Sequence, residues 1–416
     1  MQKTEDKVDG TPKADARSAE QSSGAPNSQS ATLKKAALKF VIVVGVMSFF
    51  ADFTYEGSRG IVGPYLGTLG AGAAAIAIVT GLGELLGYGL RLVSGRLSDR
   101  LQQFWPVAIF GYIIQMSAVP LLALAGTWQV AAYLVIQERV GKAMRNPPRD
   151  VMLSHAAKEI GYGWAFGVHE ALDQFGALFG PLAVAGIMFV RGEYRIAFAA
   201  LAIPAAIMLS LMLVARLLYP HPENLDSTPP DLQTTGLPHV YWIYLAGAVL
   251  VGAGFADFPF MAYHMELTSV VSTDWIPVFY AIAMAVSGAG SLAFGRLFDR
   301  VGIRVLIPLT LVSALFSPLV FLMGGFWATL AGISLWGLGM GVHESIIPAA
   351  VAPMVPRQRR ASAYGLFTAG YGIFWFLGSA GMGLLYSVSI PALVVLSVVL
   401  ELAAIPLFIM VMRRSV

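Results

Sequence analysis

Gly95-Arg96-Leu97-Ser98-Asp99-Arg100 recurs as Gly295-Arg296-Leu297-Phe298-Asp299-Arg300, and each copy sits in a short basic break between two long apolar runs. A second echo accompanies it: Phe50-Ala51-Asp52-Phe53 returns as Phe255-Ala256-Asp257-Phe258. The two offsets, 200 and 205 residues, nearly coincide, so the chain reads as a duplicated membrane protein. Matched halves with matched breaks, and a carboxylate at matched depth in each, suit a transporter whose two bundles rock around a central site.

Composition points the same way. Of 416 residues 57% are hydrophobic and only 12% charged, and the mean hydropathy is +0.70. No single soluble core hides that much apolar surface, so the bilayer is the solvent. A hydrocarbon layer of about 30 Å asks for roughly 20 apolar residues per helix. Such stretches lie near 37–66, 73–93, 104–125, 129–149, 162–189, 194–217, 240–266, 275–297, 303–324, 327–351, 361–387 and 390–412. Period-two alternation in ten-residue segments is absent, which argues against an outer-membrane barrel. The expected fold class is an all-α polytopic membrane protein with twelve transmembrane helices in two pseudo-symmetric six-helix bundles.

Residues 1–35 are polar and poor in large apolar side chains, and read as a disordered cytoplasmic tail. Residues 36–217 then form an N-terminal bundle, the proline-rich 218–239 a cytoplasmic linker, and 240–416 a C-terminal bundle. No removable signal peptide is expected, because no short apolar region with a small-residue cleavage site precedes the first span. Lys34, Lys35, Lys39, Arg96, Arg100, Arg145, Arg149, Lys158, Arg296, Arg300, Arg304, Arg357, Arg359, Arg360, Arg413 and Arg414 fall at breaks of one parity or at the termini. By the positive-inside rule that side is cytoplasmic, with Arg191 and Arg195 dissenting. The reading is an integral protein of a bacterial inner (plasma) membrane with both termini in the cytoplasm. The formal charge of +3 is therefore a topological signal, and no nucleic-acid partner is expected.

Enzymatic classes fare poorly. Cysteine is absent, which removes disulfides and thiolate metal sites. His-Glu occurs at 169–170 and 343–344, but neither has the His-Glu-x-x-His spacing that sets two zinc ligands on one helix face. No phosphate-cradling loop ending in Gly-Lys-Ser or Gly-Lys-Thr appears, so ATP is not expected to drive the cycle. Neither a metal nor a cofactor is expected, and the energy source is read as an ion gradient.

In its loop motifs the chain resembles the major facilitator superfamily. Gly95, Leu97, Asp99 and Arg100 match the first part of the family's loop signature, while Gln102 and Gln103 depart from the rest. Gly295, Leu297, Asp299, Arg300, Gly302 and Arg304 match more fully. The resemblance implies a twelve-span fold and a conformational latch in each loop, built from Gly95, Asp99 and Arg100 with Arg149, and from Gly295, Asp299 and Arg300 with Arg360 or Arg357. Both glycines would permit close helix approach; headgroup anchoring by the arginines is the alternative. Gly167, Gly176, Gly180 and Pro181 resemble the span-five signature of the family's proton-coupled antiporters, although Val184 and Ala185 stand where its closing Gly-Gly would fall. Tight glycine packing also occurs in membrane helices of every transport direction.

Charges inside the spans carry the functional reading, because each costs about 2.5–3.5 kcal/mol on insertion scales and must be hydrated or paired. Asp52, Glu56 and Arg59 share one face of the first span. Asp257 and His264 hold the repeat-related place in the seventh, and the two faces are expected to meet across a cavity. Arg139 on the fourth span, His169 and Asp173 on the fifth, and His343 and Glu344 on the tenth are the further expected members. Glu84 and Arg91 lie on the second span, where a structural ion pair is the competing reading. Alternate exposure of the acids to cavity water and to a basic partner would load and release a proton. The expected function is proton-coupled secondary transport by alternating access, exporting a small organic compound by antiport. Two alternatives stand: proton symport importing an anionic nutrient, and a non-transporting polytopic membrane enzyme or receptor. The expected partners are a small-molecule substrate, protons and the lipid bilayer.

Overall fold

The computed structural model describes residues 25–101, 104–160, 162–220, 236–343, 347, 350–355 and 360–414. Among the described residues twelve helical traverses follow one another. The N-terminal half comprises span one (Ala25–Thr68), span two (Ala73–Leu101), span three (Phe104–Leu121), span four (Trp128–Ile160), span five (Tyr162–Arg191) and span six (Tyr194–Ala200 with Ala202–Leu218). The C-terminal half comprises span seven (His239–Gly254 with Phe258–Thr268), span eight (Trp275–Val301), span nine (Leu306–Ser313 with Phe316–Phe321), span ten (from Phe326–Gly341), span eleven (Arg360–Tyr386) and span twelve (Ile390–Arg414). The described backbone is helical because, in hydrocarbon, every N–H and C=O must be satisfied within its own segment. By length and apolarity alone, nine of these traverses qualify as membrane-crossing among the described residues. Span four falls outside that set because it carries Glu138, Arg139, Lys142, Arg145 and Arg149. Outward-facing Phe189, Leu217, Trp327 and Val388 form part of the apolar surface that acyl chains cover.

Expected and observed boundaries agree closely at most ends. The largest difference is at the start, where the helix of span one begins at Ala25, ahead of the expected 37. Pro147 and Pro148 lie within the helix of span four and do not end it.

Span seven is broken at Phe255–Asp257, between two half-helices. Asp257 stands before the second half-helix in extended conformation, and Pro259 follows in its first turn, where a missing N–H is harmless. Gly254 closes the first half-helix against span twelve. A Cβ there would lie 2.7 Å from the Ser397 carbonyl oxygen and 2.8 Å from Glu401 Cγ.

The halves touch mainly at the end remote from the two termini. Gly60 of span one faces Pro277, at 3.2 Å for a would-be Cβ, and Gly63 faces the carbonyl group of Pro259, whose carbon would lie at 2.6 Å. Span two packs on span eleven, with Gly81 against Ser379 and Gly372 against Tyr88. Span five meets span eight near Gln174 and Gly288. Small residues permit these backbone approaches in the absence of a hydrophobic drive between helices. Within the N-terminal half, Gly176 and Gly180 seat span five on the backbone of span one, with would-be Cβ atoms 3.0 and 2.9 Å from the carbonyl carbons of Phe49 and Phe53. Pro181 follows inside the same helix; Gly167 lies outside the residues described in side-chain detail.

Candidate functional site

A cavity of about 400 Å³ lies between the halves. Its N-terminal wall is charged: Asp52, Glu56 and Arg59 from span one, Arg91 from span two, Lys142, Arg145 and Arg149 from span four, Glu170 and Asp173 from span five. Tyr280, Tyr364, Phe367 and Tyr371 give the C-terminal wall an aromatic character. The helical register makes the first wall, since Lys142, Arg145 and Arg149 recur at three- and four-residue steps along one face. The cavity extends from mid-membrane along the later part of span four, toward the side bearing the termini.

At its inner end the charges interlock. Glu84 Oε1 lies 2.6 Å from Arg59 Nη2 and 2.7 Å from Arg139 Nη2, so one carboxylate serves two guanidinium groups. Both arginines also donate to the Tyr55 hydroxyl, Arg59 at 2.8 Å. Lys142 Nζ stands 4.0 Å from the centre of the same ring, a cation–π contact. Arg139 approaches Glu138 at 3.6 Å, and Gln115 donates to Glu138 at 2.7 Å.

Two contacts carry this network across the interface between halves. Arg59 Nη2 is 3.8 Å from Asp257 Oδ1, and the Tyr280 hydroxyl donates to Glu56. The break in span seven frees Asp257 to turn its carboxylate toward span eleven, where Trp375 Nε1 and Ser379 Oγ each donate at 3.1 Å. Charge-assisted bonds in so dry a setting hold their groups more firmly than in water.

Nearer the cavity mouth, Arg145 pairs with Asp52 at 3.3 Å and donates to the Tyr112 hydroxyl at 3.1 Å. Arg149 forks onto Asp150 at 2.8 and 2.9 Å and reaches Ser48 Oγ at 3.4 Å. Ser48 Oγ and His169 Nε2 are 2.8 Å apart. His169, Glu170 and Asp173 hold ligating atoms within 4.8 Å of one another.

Among the residues singled out from the sequence, Asp52, Glu56, Arg59, Asp173 and His343 line the one cavity, and Asp257 and Arg139 join its inner end. His169 stands just behind the wall on Ser48. His264 stands apart: its Nδ1 is 2.8 Å from the Tyr386 hydroxyl, against the ring of Phe321, away from Arg59 and its partners. His343 Nδ1 meets the Tyr371 hydroxyl at 2.8 Å, while Glu344 lies outside the described residues. Glu84 is bound by Arg59 and Arg139, and Arg91 stacks on Tyr88 at 5.2 Å.

Most of the expected latch falls on residues whose side chains are not described: Gly95, Asp99 and Arg100 in span two, Asp299 in span eight, and Arg360 in span eleven, with Arg357 outside the described residues. Arg149 is engaged by Asp150 and Ser48, and Arg300 is exposed. At Gly295 a Cβ would meet nothing within 4 Å among the described residues. Gln115, Glu138, Tyr280, Trp375 and Ser379 complete the site without having been assigned to it. Glu138 could have been found as a second ionisable group beside Arg139; the others carry no charge signal.

The whole arrangement has relatives. An uncharacterized protein of Mycobacterium tuberculosis is 42% identical over 375 residues, 88% of this chain and 91% of its own length. An uncharacterized MFS-type transporter of Methanocaldococcus jannaschii is 24% identical over 363 residues, 84% of this chain and 89% of its own. Among solved structures, the nucleoside transporter NupG superposes with a TM-score of 0.71 at 14% identity, over 89% of this chain and all of that one. The peptide transporter POT superposes with a TM-score of 0.69 at 13% identity, over 90% and 94% of the two chains. These likenesses, at such identities, are likenesses of fold. With two overlapping matches to the Major Facilitator Superfamily, at residues 41–326 and 258–416, and a twelve-span architecture enclosing a central polar cavity, the chain belongs to that superfamily of transporters.

Proposed function

We propose that the chain is a proton-coupled secondary transporter that works by alternating access and exports a small organic compound by antiport. One observation carries the reading: the groups that bind the halves together at mid-membrane are themselves ionisable. Arg59, Arg91, Arg139 and Lys142 stand among Glu56, Glu84, Glu138 and Asp257, four cations to four carboxyl groups. In so balanced a buried cluster, binding a proton at any carboxyl group leaves a cation uncompensated and changes which ion pairs hold. Protonating Asp257 removes its attraction for Arg59, and protonating Glu56 weakens its acceptance of the Tyr280 hydroxyl. Either event loosens a contact that must part when the cavity opens to the other side. The antiport direction draws on the resemblance of Gly176, Gly180 and Pro181 to the antiporter-like signature; the close packing of those glycines on span one is compatible with either direction.

A second reading, proton symport of an organic anion, draws on Lys142, Arg145 and Arg149 along one cavity wall facing Tyr364, Phe367 and Tyr371. Cations on one side and rings on the other suit an anion with an apolar body.

The test begins with a thermal-shift screen of the purified protein to find a stabilising ligand. Proteoliposomes loaded with it then receive a pH gradient of either sign. Accumulation against proton flow supports antiport; movement with protons selects the second reading; indifference to the gradient ends the coupling proposal. In the proposed topology both termini, and the open mouth of the cavity, are cytoplasmic.

A further inference from the structure

Glu401 lies near the middle of span twelve, eleven residues from its start, and is wholly shielded from solvent. Neither carboxyl oxygen makes a hydrogen bond, and among the described residues no basic nitrogen comes within ion-pair distance. Its surroundings are nonetheless polar. The Ser313 hydroxyl neighbours it from span nine without a well-formed bond, and Ser317, one turn further on, is likewise buried and unbonded. On the opposite side Ser397 Oγ donates to the Gly254 carbonyl at 2.6 Å, at the break of span seven. An unpaired anion in this dry seam would carry the full cost of lost hydration. The neutral acid fits it, and hydroxyls within reach are what a neutral acid uses to pass on a proton.

Ser313 and His343 lie between Glu401 and the central cavity. Ser313 lines a pocket of about 10 Å³ together with Thr310, Gly339, Val342 and His343, a volume on the order of one water molecule. His343 lines the central cavity as well, and its Nδ1 is 2.8 Å from Tyr371 on that wall. The other titratable groups on neighbouring elements are engaged or distant. In span seven, Asp257 is held by Trp375 and Ser379, while Tyr241 and Tyr244 donate to the carbonyls of Ala363 and Ile347. In span eleven, Tyr371 meets His343, Tyr386 meets His264, and Tyr364 lines the cavity; Arg304, before span nine, is exposed.

We infer that Glu401 is a second proton-carrying site, built into the C-terminal half, which exchanges its proton with the central cavity through Ser313, one water and His343. Only O–H and N–H bonds change: the carboxyl gives H⁺ to the Ser313 hydroxyl, which passes its own proton to the water and so to a ring nitrogen of His343, and the carboxyl regains a proton by the reverse steps. The inference rests on the proton-coupled reading only for its use in transport, since the exchange itself is measurable without substrate.

Infrared difference spectroscopy of the full-length protein in nanodiscs provides the test. The wild type shows a carboxylic-acid C=O band that is missing in Glu401→Gln and that shifts within minutes of transfer to D₂O. Ser313→Ala and His343→Phe retain the band and slow its shift by about tenfold, the rate equivalent of roughly 1.4 kcal/mol. A band that never exchanges marks a sealed structural acid and overturns the proposal. So does an ionised Glu401 accompanied by sodium-dependent thermal stabilisation, which would make the site one for a metal cation. Should Glu401→Gln fail to fold, exchange in the wild type compared with Ser313→Ala decides: equal rates refute the passage. Failure here leaves the pH-gradient flux experiment untouched, and the reverse also holds.

Discussion

Arg59 of span one lies 3.8 Å from Asp257 of span seven, so an arginine shared by two N-terminal carboxylates, Glu56 and Glu84, also faces an acid from the other half. The contact crosses the interface that alternating access must open. Asp257→Asn keeps the shape and the bond from Trp375, makes its amide NH2 a donor to the Ser379 hydroxyl, and removes the charge. It is expected to retain ligand counterflow while losing accumulation driven by a pH gradient. Undiminished accumulation would remove Asp257 from the coupling scheme.

The absence of cysteine makes the chain a ready background for single-thiol labelling. Tyr263 packs against Gly67 at the closed end, and the same contact face includes Gly63 against Pro259. Gly63→Ala places a methyl group into that backbone and costs the closed arrangement about 1–3 kcal/mol. Labelling of Tyr263→Cys is expected to quicken when Gly63→Ala is added. An unchanged rate would mean that the glycine face does not hold this end shut.

Glu84 neutralises two buried arginines at 2.6 and 2.7 Å. Removing one partner of a buried pair typically costs about 3–5 kcal/mol, because the remaining charge is left uncompensated. Glu84→Gln is therefore expected to lower the thermal midpoint, and adding Arg139→Gln to recover part of the loss. Additive losses in the double variant would show that the two groups act independently.

For the cationic wall the expected readout is ligand affinity. Lys142→Gln is expected to weaken binding of an anionic ligand by about tenfold, about 1.4 kcal/mol. Arg195→Gln, which alters a side chain bonded to the Ala125 carbonyl outside the cavity, serves as the control. Equal ligand-induced thermal shifts for the two variants would count against the anion reading.

Gly378 of span eleven sits on the Ala253 carbonyl group of span seven, whose carbon would lie 2.6 Å from an added Cβ. Both backbones are helical there, so relief requires moving a helix. Gly378→Ala is expected to destabilise the C-terminal half by about 1–3 kcal/mol, read as a lower thermal midpoint that ligand raises again.

Helix number, order and repeat were legible along the chain because hydropathy over some 20 residues is a local property, and a helix in lipid satisfies its own backbone. The face bearing Asp52, Glu56 and Arg59 was legible too, since helical periodicity alone places them together. Partner choice was not. Glu84 binds Arg59 and Arg139 from spans one and four, although Arg91 is its neighbour on its own helix. Asp257 and His264 share a span, yet the first meets Arg59 and the second meets Tyr386. Tyr55 acquired its place only when spans one and four converged on it, and Tyr280 only when the two halves met. Glu401 drew no notice beside the acids of spans one and five, and its isolation is a property of spans seven, nine and twelve together. Sequence therefore determined the elements and their depth. Arg149 with Asp150 and Arg139 with Glu138 are pairs between chain neighbours, whereas tertiary packing decided the pairs that link spans, because those depend on side chains tens to hundreds of residues apart coming within 4 Å.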